Sequence, residues 1–369
     1  MPRLAVTDLK LSHFRSYKKA RVLTDDGRPI TLYGSNGAGK TNILEALSLL
    51  SPGRGLRRAR VDEMARTPEN LGWKITATLQ SLGQIHEIET TYSGEGSRTV
   101  RIDGKSATQT ALGRIARVVW LVPAMDRLWV EGAEGRRRFL DRLAMSFEPS
   151  HADHALAYER AMRERNRMLK DGITDPSWYS AVERQMAQTG ADIERNRLHT
   201  IDRIAQAQSD AETAFPSADL TLIGANGDDV IIDDLRDAFA DNRRADMAAG
   251  RTLIGPHRDD LHGIYAAKGT PAKLCSTGEQ KALLVSLILA NGRALSQDFG
   301  AAPILLLDEI SAHLDADRRD ALYDEIVALG AQAWMTGTGA ELFDSLGNRA
   351  QHLEISEDAT GSVIIGGSP

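Results

Sequence analysis

At 369 residues, 42% hydrophobic and 26% charged, the chain has the composition of an ordinary globular protein and exceeds what one hydrophobic core usually organises, so one large domain with an insertion, or two domains, is expected. The net charge of −6 excludes a surface coated in positive charge, although local basic clusters can still displace counterions from nucleic acid. Cys275 is the only cysteine, which excludes an internal disulfide and a Cys-based zinc site; the amino terminus has no apolar signal core and no segment is long and apolar enough to cross a bilayer, so a cytoplasmic protein without a membrane partner is expected.

Leu4, Val6, Leu9, Leu11 and Phe14, then Arg21-Val22, predict a strand pair that leads through the turn Asp25-Asp26-Gly27 to the apolar run Ile30-Thr31-Leu32-Tyr33. Next comes Gly34-Ser35-Asn36-Gly37-Ala38-Gly39-Lys40-Thr41, opening the helical pattern Asn42-Ile43-Leu44-Glu45-Ala46-Leu47. This is a complete GxxxxGKT phosphate loop between a strand and a helix, the context it requires. Its glycines let successive N–H groups and the helix N-terminus face an anion. Lys40 is placed to reach the β- and γ-phosphates of a nucleotide and Thr41 to set its hydroxyl on Mg²⁺. A plain glycine-rich turn would explain the glycines but not the Lys-Thr pair.

Gly53, Gly55 and the arginines Arg54, Arg57, Arg58 and Arg60, with no acid before Asp62, predict a mobile basic loop and candidate DNA contacts. The later basic run Arg163, Arg165, Arg167 and Lys170, interleaved with Glu159 and Glu164, reads instead as a solvated, salt-bridged helix face. Alternating runs at 75–79, 85–92 and 99–102 predict an antiparallel β subdomain. Val118-Val119-Trp120-Leu121-Val122 reads as a buried strand ended by Pro123. From about Arg136 to Ala214 the pattern is helical, with one helix over His151 to Lys170, the turn Asp171-Gly172-Ile173-Thr174-Asp175-Pro176, and a second helix ended by Pro216. Two helices joined by a short turn suggest an antiparallel arm, packed on the core or projecting toward a partner.

Arg251-Thr252-Leu253-Ile254 is expected to return the chain to strand, and Leu261, Gly263-Ile264-Tyr265 and Lys273-Leu274 read as further strand segments. Ser276-Thr277-Gly278-Glu279 heads an apolar helix as a capping box. Beside a phosphate loop, a Ser-x-Gly helix start is also the form of an ATP-binding-cassette signature, offering Ser276, Gly278 and the helix dipole to a γ-phosphate. Ile304-Leu305-Leu306-Leu307 reads as a strand buried on both faces. Asp308 and Glu309 end it, where α/β sheets bind ligands. Asp308 is then the candidate Mg²⁺ ligand and Glu309 the candidate base that orients the attacking water.

With these motifs the chain resembles the RecF family of bacterial recombination and gap-repair ATPases, in the ATP-binding-cassette and SMC-like group, over essentially its whole length. Phe14-Arg15-Ser16-Tyr17, the phosphate loop and the basic loop carry the resemblance, and Arg136-Arg137-Arg138-Phe139-Leu140-Asp141 and Gly255-Pro256-His257-Arg258-Asp259-Asp260-Leu261 are its narrowest marks. It implies an α/β fold: an ABC-type P-loop ATPase head, with a parallel-sheet core and an antiparallel β subdomain, into which a helical arm domain is inserted. The expected divisions are 1–125 and 250–369 for the two parts of the head and 126–249 for the arm. It further implies that Ser276 and Gly278 act in trans on ATP held by a second protomer, that Asp315 is the D-loop residue of Ser311-Ala312-His313-Leu314-Asp315, and that Thr336 senses the γ-phosphate. Implied with these are ATP and Mg²⁺ as cofactors, slow DNA-stimulated hydrolysis, an ATP-dependent homodimer on duplex DNA near junctions of single and double strand, and RecR, RecO and RecA as partners. The chain departs from the family pattern in having no Gln between Val118 and Phe139, and in carrying Ala124 where an acid is expected, with Asp126 two residues on. The alternatives are a transporter-type ATPase subunit and an SMC-type or Rad50-type structural ATPase. The first leaves the helical insertion unexplained, and the second needs much longer coiled coils and, for the Rad50 type, a CxxC hook that one cysteine cannot supply.

Overall fold

The computed structural model describes residues 3–24, 27–225, 227, 230, 233–310, 314–359 and 361–365, which group into two compact units. The first comprises Met1–Asp126, Asp210–Pro216 and Thr277–Pro369. Continuous apolar runs decide its centre. Ile30–Tyr33 (β3), Val118–Leu121 (β8), Ile304–Leu307 (β12) and Ala333–Gly337 (β13) are buried at nearly every position, as strands covered on both faces must be. They run parallel in a six-stranded sheet ordered β15, β14, β3, β13, β12, β8, in which β14 (Gln351–Asp358) is parallel to β3 and β15 (Gly361–Ile365) is the antiparallel edge. Thr277–Asp298 (α8) is buried almost throughout from Gln280 to Leu295, the mark of a helix enclosed by its own unit.

Alternating sequence builds the other sheet of this unit. Leu4–Phe14 (β1), Tyr17–Leu23 (β2), Trp73–Ser81 (β4), Gln84–Tyr92 (β5), Thr99–Ile102 (β6) and Lys105–Ala107 (β7) lie antiparallel in the order β2, β1, β4, β5, β6, β7. In β4 the inward positions are Trp73, Ile75, Ala77 and Leu79. They share one core with β3 and with Ile43, Leu44, Ala46 and Leu47 of the helix Lys40–Ser48 (α1). The expected pair β1 and β2 therefore forms, but it belongs to this sheet, while β3 belongs to the parallel one. Asp25 and Asp26 of the expected turn lie outside the described residues. A short helix, Leu112–Ile115 (α2), precedes β8.

The second unit comprises Arg127–Ser209 and Ser217–Ser276. Its helices α3 (Ala133–Phe147), α4 (His151–Lys170) and α5 (Pro176–Ser209) are followed by α6 (Leu235–Asp241) and α7 (Arg243–Ala249). Neighbours across α4 and α5 run Arg165 to Glu183, Tyr158 to Gly190 and His151 to Asn196, the descending register of an antiparallel hairpin. Tyr158, Ala161, Met186, Ile193, Leu235 and Phe239 form its apolar core.

This unit is not helical alone. Ala218–Ile223 (β9), Asp260–Tyr265 (β10) and Thr270–Pro271 (β11) form a three-stranded antiparallel sheet. That sheet corrects the expected boundary: residues 250–276 group with the helices rather than with the head, because β10 pairs with β9 from Asp260↔Ile223 to Tyr265↔Ala218. Nor do residues 251–254 form a strand. The Thr252 N–H bonds Asn166 Oδ1 at 2.8 Å and the Leu253 N–H bonds Asp246 Oδ1 at 3.0 Å, so side chains take the donors a sheet neighbour would use. Likewise Ala272–Leu274 is a 3₁₀ turn instead of a strand. No described helix is long and apolar enough to cross a membrane.

Candidate active site

The strand order assembles the site. Within the parallel sheet β13 lies between β3 and β12, and the register sets Leu307 beside Met335 and Leu32 beside Thr336. Asp308, one residue beyond β12, therefore comes level with Thr336. The Thr336 hydroxyl donates to Asp308 Oδ1 at 2.8 Å and accepts the Glu309 N–H at 2.8 Å. From the other side, the Thr41 hydroxyl donates to the same Asp308 Oδ1 at 2.9 Å. Glu309 takes φ of 51°, uncommon outside glycine, and its bond to Thr336 holds it there. Asp308, Glu309 and Thr336 thus meet at the C-terminal ends of adjacent parallel strands, the place where α/β sheets hold ligands, and Thr41 joins them from the first turn of α1.

Within the phosphate loop, Lys40 is 5% exposed, and its ammonium donates to Gly34 O at 2.7 Å and Ser35 O at 2.8 Å. Burial lowers its pKa, against the Asp308 and Glu309 carboxylates, which favour the charge. Gly34 has φ of +147°, and a Cβ there would fall 2.0 Å from the Ile355 carbonyl oxygen of β14. At Gly37 a Cβ would meet nothing within 4 Å, so the tip of the loop is open. An open loop at a helix start, a buried ammonium with a donor to spare and the oxygen pair Thr41 and Asp308 suit a phosphate chain with a hard divalent cation.

Behind the loop is a brace whose residues come from β1–β2, α1 and β15, so that no single sequence window displays it. The Tyr17 hydroxyl donates to Gly39 O at 3.2 Å, Asn42 Nδ2 donates to Ser16 Oγ at 2.7 Å, and the Ser362 hydroxyl donates to Ser16 Oγ at 2.6 Å. A Cβ on Gly39 would lie 2.3 Å from Ser362 Oγ. Arg15 holds the carboxylate of Glu45, a residue of α1 with no solvent exposure. The Phe14-Arg15-Ser16-Tyr17 segment thereby ties the β1–β2 turn to the loop and its helix. Burial raises the Tyr17 pKa, keeping the hydroxyl a donor.

Comparison with known proteins bears on the family and the fold. The profile described as RecF/RecN/SMC N terminal domain matches residues 5–354. The DNA replication and repair protein RecF of Brucella suis biovar 1 (strain 1330) is 46% identical over 366 residues, covering 96% of this chain and 95% of that protein. The chain belongs to the RecF family. A RecF of Rhizobium rhizogenes (strain K84 / ATCC BAA-868) is 47% identical, covering 96% and 97%. Among solved structures, the recombination mediator protein RecF-ATPrS in the RecFOR pathway superimposes with a TM-score of 0.80 at 21% identity, covering 98% of each chain. The Pyrococcus furiosus Smc head domain with an extended coiled coil, bound to the C-terminal domain of ScpA, does so with 0.56 at 17% identity, covering 98% and 96%. The fold is that of an ABC/SMC-type ATPase head.

The two narrow RecF-family motifs meet inside the second unit. Arg136 holds Asp260 bidentately, Nε to Oδ1 at 2.7 Å and Nη2 to Oδ2 at 2.8 Å, while Arg137 donates to Asp259 O at 2.6 Å. Arg197 of α5 joins both motifs, reaching Asp141 Oδ1 at 2.8 Å, Asp259 Oδ2 at 3.1 Å and Pro256 O at 2.7 Å. His257 Nε2 donates to Thr252 O at 3.1 Å, so Nδ1 accepts from the Tyr158 hydroxyl at 2.8 Å. Burial lowers the His257 pKa to about 4 and keeps the ring neutral. These motifs form a largely buried polar network in that unit.

The remaining expected residues lie at helix starts and in the basic loop. Ser276 precedes α8, and Gly278 lies in its first turn. Asp315 caps Ala316–Leu329 (α9), its Oδ1 accepting the Arg318 N–H at 2.9 Å, whereas Ser311-Ala312-His313 lie outside the described residues. Asp126, in the stretch without Gln, faces Lys281 of α8 at 3.5 Å. The basic loop is less uncompensated than its sequence suggests: Arg57 reaches Asn42 Oδ1 at 2.7 Å and Glu45 Oε2 at 3.0 Å, and Arg60 reaches Asp62 at 3.2 Å. The pairing acid of Arg57 stands upstream in α1, where a scan of the loop itself does not find it.

Proposed function

We propose that the protein is a cytoplasmic, ATP-dependent DNA-binding protein of recombinational gap repair and replication restart, with hydrolysis acting as a slow switch. The observation that carries this reading is the meeting of Asp308, Glu309 and Thr336 at the ends of two adjacent strands with Thr41 at the start of α1, in a chain of the RecF family. Relatives bearing the name DNA replication and repair protein, and the solved RecF-ATP of the RecFOR pathway, support it.

When bound, Mg²⁺-ATP supplies an electrophilic γ-phosphorus with its charge partly neutralised by the cation. Amides of residues 34–41 and the Lys40 ammonium bind the phosphates. The Thr41 hydroxyl and Asp308, paired here at 2.9 Å, would hold the cation. Glu309, fixed by its N–H, orients water and accepts its proton at the carboxylate, while Thr336 holds the Asp308 carboxylate and the Glu309 backbone. Ser276 and Gly278 close over nucleotide on a second copy, beside its Asp315 loop, so that ATP favours a homodimer on duplex DNA near strand junctions. Arg54, Arg57, Arg58 and Arg60 contact DNA phosphates, and RecO and RecR act with the dimer to load RecA.

Light scattering of the Glu309→Gln protein tests this, with and without ATP and Mg²⁺ and with and without gapped duplex. Mass should double only with ATP, and the dimer should retain the gapped DNA. A protein that binds ATP and stays monomeric on DNA would overturn the trans site, leaving Ser276 as a helix cap.

A further inference from the structure

Beyond the C-terminal end of α1, in the first unit, lies an open cavity of about 530 Å³, with Arg54, Arg60, Asp62, Tyr92, Ser97 and Arg98 in its wall. That volume falls in the range of small-ligand sites. The whole chain carries a net charge of −6, yet this wall sets three arginines against one carboxylate. Arg98 is 8% exposed and has no carboxylate partner among the described residues; it donates only to neutral acceptors, Leu49 O at 3.3 Å and Gln109 Oε1 at 2.8 Å. A buried guanidinium without an anion is costly, and burial lowers its pKa to about 10. Leu49 follows α1, so the first bond serves a helix C-terminus, and the two bonds together use two of the five guanidinium N–H donors. Arg54 is exposed and has neither an ion-pair nor a hydrogen-bond partner among the described residues. Tyr92 adds an aromatic wall, its ring centroid 6.4 Å from that of Trp73 and its hydroxyl on Gly94 O at 2.7 Å. The neighbouring turn, with Gly94 and Gly96 at φ of 98° and 77°, has open space where each Cβ would be.

We propose that this cavity binds a single unpaired nucleotide, its phosphate on Arg98 and Arg54 and its base against Tyr92. A guanidinium lacking its anion is the preferred partner of a phosphate, and an aromatic ring accepts any base by stacking. The nucleotide is either part of a strand or free. The first source rests on the nucleic-acid reading above; the second does not.

The test uses full-length Lys40→Ala protein, in which the phosphate loop is disabled, titrated with dTMP and with duplexes that are blunt or carry a single-stranded overhang. Binding of dTMP, or preference for the overhang, is expected, and adding Arg98→Lys or Arg54→Gln should weaken it about tenfold or more. Saturable dTMP binding identifies the free source; overhang preference without dTMP binding identifies the strand. Circular dichroism shows whether Arg98→Lys folds, and if it does not, Arg54→Gln and Tyr92→Leu decide. Affinities unchanged by these substitutions, or neither dTMP binding nor overhang preference, would overturn the cavity while leaving ATP-dependent retention of gapped duplex intact.

Discussion

Arg15 holds Glu45 by two parallel hydrogen bonds, Nε to Oε2 at 2.8 Å and Nη2 to Oε1 at 2.6 Å. Removing one partner of a fully buried pair costs about 3–5 kcal/mol. Arg15 is partly exposed and Arg57 still reaches Glu45 at 3.0 Å, so the cost is discounted. Arg15→Met should destabilise the first unit by about 2 kcal/mol, read as a lower urea midpoint at unchanged slope. Arg57→Met alone should cost less, and the double variant more than the sum, because Glu45 is then left without a cation.

Among the described residues, the Thr336 hydroxyl is the one side-chain group that touches both carboxyl-bearing residues. Thr336→Val removes the donor to Asp308 and the acceptor for the Glu309 N–H while keeping the side-chain shape. Loss of such an orienting bond typically lowers activity about 10–100-fold. The expected result is a fall of that size in the ATP hydrolysis rate with little change in ATP affinity, and recovery in Thr336→Ser. An equal loss in both variants would point to packing instead.

How far the sequence discloses this site follows from distance along the chain. Contiguous residues that carry their own chemistry are legible: GxxxxGKT, the LLLDE strand and the hairpin of α4 and α5 each announce themselves within one short window. The family resemblance implies a role for Thr336 toward phosphate, but its grip on Asp308 and Glu309 depends on β13 lying between β3 and β12, which no local pattern encodes. Ser362 is further out of reach, on an edge strand whose sequence bears no mark of the Gly39 it backs. The boundary after 249 failed for the same reason, since β10 finds its partner β9 some forty residues upstream.

Glu194 is 1% exposed with an Oε2 that has no hydrogen-bond partner among the described residues, and burial, aided by the nearby Asp259 charge, raises its pKa to about 9 against the pull of Arg197. The folded chain thus keeps a proton that the unfolded chain releases near pH 4.5, so stability is lost as pH rises between 4.5 and about 9. His257 has the opposite sign: its folded pKa near 4 lies below 6.5, and stability falls on acidification through that window. Comparing Glu194→Gln with the parent cancels the histidine. The variant should match the parent at about pH 4 and be the more stable at about pH 8, by urea denaturation at each pH. A constant offset across that range would mean Glu194 does not titrate within it.

The basic loop separates two kinds of arginine, and DNA binding should separate them too. Arg54 is exposed and uncommitted among the described residues, whereas Arg57 is spent on Asn42 and Glu45 of the helix that follows the phosphate loop. Removing a cation that only neutralises phosphate reduces the slope of log affinity against log salt by about one and leaves other properties alone. Arg54→Ala should therefore weaken duplex binding, flatten that slope by about one and leave the melting temperature and ATP affinity unchanged. Arg57→Ala releases one of the two cations on a buried carboxylate, so it should lower thermal stability and ATP affinity together, with a smaller change in slope. If Arg57→Ala instead changes the slope as Arg54→Ala does and spares ATP binding, then Arg57 leaves Glu45 for DNA, and the pair is a contact that the nucleic acid displaces.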